Sequence, residues 1–182
     1  MVPRHDDEPA GGGSSNPVQG GRERGLIIQK LLEEVVTGET ADHLAALTER
    51  ASELICALGQ PIAEDPAPGL SPAEIAGCVV RTLALPDIVV LRPTLVPEFP
   101  IYASDLLDGL EEVTAGITDA TSFAADGRLD WKSDVAPTPE TVEHYRAQVG
   151  NYLRTTRAEN GLIVFVTTGG RGTKRSRAPG IS

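Results

Sequence analysis

Asp119 and the triplet Asp130-Trp131-Lys132 fall in a segment that reads as a β-hairpin. Residues two apart in a strand project on the same face, so Asp130 and Lys132 set a carboxylate beside an ammonium. If residues 113–123 pair with residues 128–133 around a turn at Asp126-Gly127, Asp119 approaches Asp130. Two carboxylates that close repel unless a cation sits between them. Hard oxygen ligands select Mg²⁺ or Mn²⁺. A lysine beside such an ion can orient an attacking water or steady charge growing on a phosphate. Metal, water and lysine together make a site for phosphodiester hydrolysis. Taken alone, the triplet is better explained as the polar face of an ordinary hairpin, so the flanking sequence has to decide.

The elements around the hairpin follow from periodicity. Leu26, Ile27, Leu31, Leu32, Val35 and Val36 recur at three- and four-residue steps, with Gly38 as a stop. A second helix is predicted from Ala41 to Leu58. Ser71-Pro72-Ala73-Glu74 has the form of a capping box with proline at the first helical position, and opens a third helix ending near Leu83. Pro86 breaks the pattern before a short turn through Val89-Val90-Leu91. Residues 94–103 read as an extended edge segment because of Pro97 and Pro100. After the hairpin, residues 138–158 form a helix with Val142, Tyr145, Val149, Tyr152 and Leu153 inward. Gln148 and Tyr152 are four apart and share one face of it. Gly161 is read as its stop. Leu162-Ile163-Val164-Phe165-Val166 is then a strand buried on both faces, reached by a crossover that should be right-handed.

Composition limits what else the chain can be. It has 182 residues, with 16 Lys and Arg against 26 Asp and Glu, a net charge of −10 and a pI near 4.7. The length suits one domain and is too short for a complete helicase motor. No Gly-x-x-x-x-Gly-Lys-[Ser/Thr] loop occurs, so no ATPase is expected. The acidic balance argues against binding nucleic acid by bulk charge, and confines expected contact to a metal-bridged site. No apolar run approaches the ~20 residues of a membrane span. Residues 1–22 are Gly/Pro-rich with no signal-peptide core and read as a disordered arm or linker. Residues 171–182, with Arg171, Lys174, Arg175 and Arg177, read as a basic disordered tail. Cys56 and Cys78 read as two buried reduced thiols, and the expected compartment is the cytoplasm.

Four segments in order resemble the C-terminal nuclease domain of AddA/RecB-type helicase–nucleases, in the PD-(D/E)XK superfamily. Residues 24–34 resemble the first motif, and residues 96–100 the first-strand segment. Residues 116–120 with 130–134 resemble the catalytic hairpin. Gln148 to Tyr152 resembles the Gln-x-x-x-Tyr motif of this branch. The match spans about residues 22–169, nearly all of the expected domain at 23–170.

The resemblance implies an α/β, restriction-endonuclease-like core. Its mixed sheet would hold an antiparallel hairpin plus a strand after a crossover helix, with a helical N-terminal part. It implies Mg²⁺ or Mn²⁺ held by Asp119 and Asp130, with the Trp131 carbonyl and Gln29 as further ligands. Lys132 would be the catalytic lysine, Gln148 and Tyr152 would bind DNA, and Glu98 is a further candidate on the first strand. The implied function is a metal-dependent DNA exonuclease on single strands or ends, with a helicase partner, in repair or recombination. Two features depart from the family. Gln29 stands where the first motif usually carries a histidine, and His43 reads as a surface residue rather than its replacement. Only Gly127-Arg128-Leu129 precedes the triplet, and a shortened strand can shift register and turn Asp130 or Lys132 to the wrong face. A second reading is therefore a catalytically inactive module of the same fold that binds DNA or docks a helicase.

Overall fold

Apolar residues at helical spacing wind the first half of the chain into helices, and β-branched runs in the second half form the sheet. The computed structural model describes residues 18, 21–107, 110–123, 127–156 and 158–175. Its elements are α1 (Arg22–Thr37), α2 (Leu44–Ala57), α3 (Pro72–Leu83), α4 (Pro86–Leu91) and a 3₁₀ turn (Arg92–Thr94). They continue with β1 (Leu95–Leu107), β2 (Leu110–Ser122), β3 (Gly127–Lys132), α5 (Pro139–Thr156), β4 (Asn160–Phe165) and β5 (Gly170–Arg175). The strands lie in sequence order in one mixed sheet. Every neighbouring pair is antiparallel except β3 and β4, which run parallel because α5 connects them.

Helices cover both faces. Leu162, Val164 and Val166 join the larger core with Leu129, Trp131, Ala120 and the apolar stripes of α1 to α3. Ile163 and Phe165 join a smaller core with Val149 and Leu153 of α5. The alternation of one strand between two cores is why its sequence is continuously apolar.

A buried arginine ties α1 to α3 and to the chain just beyond β3 and β4. Arg24, 2% exposed, donates from Nε to Glu74 Oε2 (3.1 Å) and from Nη2 to Glu74 Oε1 (2.7 Å). Its Nη1 donates to the Ser133 carbonyl (3.1 Å) and to Thr167 Oγ1 (2.8 Å). Cys78 donates to Glu74 Oε1 (2.9 Å), and burial first, then Glu74, pushes this thiol up to about 11. The start of α1 is thus tied to α3 and to the chain just beyond β3. Gly25 permits the close approach, since a Cβ there would lie 2.6 Å from Ser133 Oγ.

Several boundaries differ from the sequence reading, each for a local reason. α2 starts at Leu44 rather than Ala41, because His43 caps it by accepting from the Ala46 N–H (3.2 Å). α3 starts where predicted, but Ser71 makes no side-chain cap and Glu74 is taken by Arg24, so the capping box does not form. Pro86 opens α4 instead of only breaking the pattern, as proline at a first helical position can. α5 ends at Thr156, and Gly161 belongs to β4. Cys56 is exposed, because Ile55 takes the inward position beside it; Cys78 is buried as expected. Residues 171–175 pair with β4 as β5, so the folded part runs past the expected limit at 170. The predicted turn at Asp126, most of the N-terminal arm and residues 176–182 lie outside the described residues. No helix among the described residues is long and apolar enough to cross a membrane.

Candidate active site

The hairpin keeps its register despite its short second strand. β2 and β3 pair through Ser122↔Gly127, Thr121↔Arg128 and Ala120↔Leu129, and there the ladder stops. The next residues across would be Asp119 and Asp130. Instead of continuing the ladder, the Trp131 N–H donates to Asp119 Oδ2 at 2.6 Å. A side chain thus takes the place of a backbone acceptor where the two strands part. This bond draws Asp119 towards Asp130 and supplies a partner that sequence reasoning did not name.

Asp130 is buried and Lys132 nearly so. Lys132 Nζ lies 2.8 Å from Asp130 Oδ2. The ammonium is the partner of that buried oxygen. Lys132 also donates to Gln148 Oε1 (3.4 Å) and sits 4.4 Å above the centre of the Tyr145 ring. Gln148 Nε2 donates to the Tyr152 hydroxyl (3.1 Å). Tyr145 donates its hydroxyl to Asp134 Oδ2 (2.9 Å). The helical spacing of Tyr145, Gln148 and Tyr152 therefore lays one face of α5 along the end of β3. Tyr152 rests on the backbone of β2, where a Cβ on Gly116 would lie 3.2 Å from its Cε1. Replacing Gly116 by valine overpacks this contact. The expected cost is about 1–3 kcal/mol, read as a lower midpoint in urea unfolding. An unchanged midpoint would mean that the ring moves aside freely.

Electrostatics mark the pair as unusual. Burial, and next the charge of Asp130, push the Asp119 carboxyl up to about 7 against the opposing Trp131 N–H and Lys132. Two oxygen donors under mutual repulsion fit a hard divalent cation. Among the described residues no group of three His, Cys, Asp or Glu converges on a metal position. The remaining ligands would be backbone oxygen and water, which suits Mg²⁺, an ion that keeps several waters.

Gln29 and Glu98 lie together. Both line a mainly apolar cleft with Leu26, Lys30, Leu54 and Leu58, and neither hairpin aspartate contributes to it. Glu98 falls across from Asp119 in the β1–β2 register, between Pro97↔Ala120 and Phe99↔Thr118. Its φ of 47° is left-handed, which costs an ordinary residue roughly 1–3 kcal/mol and breaks the alternation that would place it beside Asp119. The candidate residues thus divide into two groups. Asp119, Asp130, Lys132, Gln148 and Tyr152, with the Trp131 amide, form one continuous cluster; Gln29 and Glu98 share a cleft.

No family model matches the chain, and no curated protein matches it. Among solved structures it is similar to one described as "Crystal structure of SSO0001", at 17% identity. The alignment covers 87% of this chain and 79% of that one, with a TM-score of 0.43.

Proposed function

We propose that the chain is a metal-dependent deoxyribonuclease built on a restriction-endonuclease-like core, acting on single strands or DNA ends with a helicase partner. The observation that carries this reading is the Asp119–Asp130 pair beside Lys132, whose ammonium lies 2.8 Å from the buried Asp130 carboxylate. Asp119 and Asp130 would hold Mg²⁺ or Mn²⁺. A bound divalent ion supplies Lewis-acid polarisation of a phosphoryl oxygen and lowers the pKa of water. The chain's own residues do the rest. Lys132, fixed by Asp130, Gln148 and the Tyr145 ring, holds a positive charge where phosphate charge would grow. The Trp131 N–H fixes one Asp119 oxygen. Gln148 and Tyr152 present an amide and a phenol for contact with the DNA strand.

A second reading is a binding module of the same architecture that does not cut. What favours it is Gln29, a neutral amide where the resembling family usually carries a histidine. Cleavage of labelled single-stranded DNA separates the two. Wild type with Mg²⁺ or Mn²⁺ is expected to degrade the strand, and either EDTA or Lys132→Ala to abolish this. DNA left intact by wild type with both ions would overturn the enzyme reading.

A further inference from the structure

We propose that Phe99 and Phe123 form a platform on which a base of single-stranded DNA stacks while the strand passes the aspartate–lysine cluster. The inference rests on the nuclease reading above and adds to it how a strand would be held. The chain has three phenylalanines. Phe165 packs in the smaller core. The rings of Phe99 and Phe123 instead meet edge to face at the surface, with centroids 5.0 Å apart and planes at 84°. Phe123 is 59% exposed, and Phe99 is half-buried. Val96, on the same strand as Phe99, is exposed as well.

Register places the pair on the face of the sheet that carries the cluster. Partners across a ladder share a face, and so do residues two apart in a strand. Val96 pairs with Thr121, and Thr121 with Arg128, which alternates with Asp130 and Lys132. Leu95, the neighbour of Val96, is buried on the opposite face in the larger core. Phe99 pairs with Thr118, whose hydroxyl meets that of Thr121 at 2.9 Å, so Phe99 and Thr118 lie on the Thr121 side. Regular alternation would oppose residues three apart; the left-handed backbone at Glu98, across from Asp119, interrupts it there. Helix α5 covers the other flank of the same face, where Ile163, the partner of Asp130, packs with Val149 and Leu153. The cluster thus lies between α5 and the aromatic pair. Where the strands are still paired, two spacings of roughly 4.8 Å put β1 about 10 Å from β3.

A base is the partner this pair fits. A net charge of −10 gives a polyanion no general attraction, so the strand has to be held by contacts that are not ionic. Every base has a π-face, and stacking on an aromatic ring tolerates any sequence. Only an unpaired strand can turn a base onto a ring, because in a duplex the faces are already stacked on one another. The platform would therefore make the site select single strands.

Binding is measured with labelled oligo(dT), alone and annealed to oligo(dA), in EDTA so that no cleavage interferes. Wild type is expected to bind the single strand more tightly than the duplex. Phe123→Ala and Phe123→Leu should each weaken single-strand binding at least ~5-fold, since leucine restores apolar area but no π-face. Phe123→Tyr keeps the ring and is expected to keep the affinity. No charge changes in these variants, so the slope of log affinity against log salt should stay as in wild type. Because Phe123 is exposed, the unfolding midpoints of the leucine and tyrosine variants should stay near that of wild type. Single-strand affinity that Phe123→Leu retains in full would overturn the platform, as would a loss shared equally by the duplex. Wild type that binds neither form would overturn it too. The nuclease reading itself stands or falls on the cleavage assay.

Discussion

Asp119→Asn is expected to fold more firmly than wild type while losing the proposed nuclease activity. The substitution preserves shape: the amide oxygen can still accept from the Trp131 N–H, and the amide nitrogen faces Asp130 as a donor rather than a second negative charge. What it removes is a half-buried charge that the fold holds at a cost. Asp119 titrates near 4 in an unfolded chain and at about 7 in the folded one. Below about pH 4 both states are protonated and the residue costs the fold nothing. As pH rises from there the unfolded chain ionises first, so wild-type stability falls until the folded group also ionises, and above about 7 the whole penalty stands. The gain from asparagine should therefore be largest near pH 8, on the order of 2 kcal/mol, and shrink towards zero at about pH 4. Cleavage should fall at least ~100-fold, because a neutral amide is a poor substitute for a carboxylate around a hard cation. Urea unfolding at about pH 5 and pH 8, with cleavage on the same samples, tests both halves. Equal stability of the two proteins at pH 8 would show that the aspartate pair is not strained as described.

Arg24→Ala should have the largest effect on stability of any single change away from the site. The guanidinium is almost wholly buried and holds Glu74, the Ser133 carbonyl and Thr167 at once. Its loss strands a carboxylate that is 15% exposed and leaves the Ser133 carbonyl with the Thr167 hydroxyl alone of its two side-chain donors. Breaking a buried pair from one side costs about 3–5 kcal/mol, a large share of the 5–15 kcal/mol that holds a domain together. Arg24→Lys is expected to rescue little, because an ammonium cannot span Glu74 bidentately and reach Ser133 as well. Arg24→Met/Glu74→Met should recover much of the loss by removing both charges. Ser133 follows Lys132 directly, so cleavage should fall with stability even at temperatures where Arg24→Ala remains folded. A loss below ~1 kcal/mol would show that solvent reaches Glu74 and replaces the arginine.

These two residues mark the limits of what the sequence discloses. The carboxylate pair was legible because it rests on a local pattern: strand alternation puts Asp130 beside Lys132, and hairpin pairing brings Asp119 across. The helical face holding Gln148 and Tyr152 was legible for the same reason, as was the strand apolar on both sides. Arg24 was visible only as part of a motif. Its partners are 50, 109 and 143 residues away, and no local pattern encodes such a convergence. β5 was hidden by composition. Gly-Arg-Gly-Thr-Lys-Arg has little strand propensity, and it is the open edge of β4 that makes it a strand. Gln29 and Glu98 were placed by resemblance, and a left-handed backbone at Glu98 is not something its neighbours announce.

The amide that binds Asp119 belongs to the chain's sole tryptophan. Its indole, 4% exposed, is packed in the larger core while its backbone N–H reaches the carboxylate. The protein therefore carries a built-in optical reporter at the junction of core and site. Intrinsic fluorescence, excited selectively at the indole, should register whatever alters that hydrogen bond, whether a proton, a cation or a neighbouring substitution. Unfolding would register separately as a red shift on exposure to water. One unlabelled sample can thus distinguish a change at the aspartates from a change in the fold.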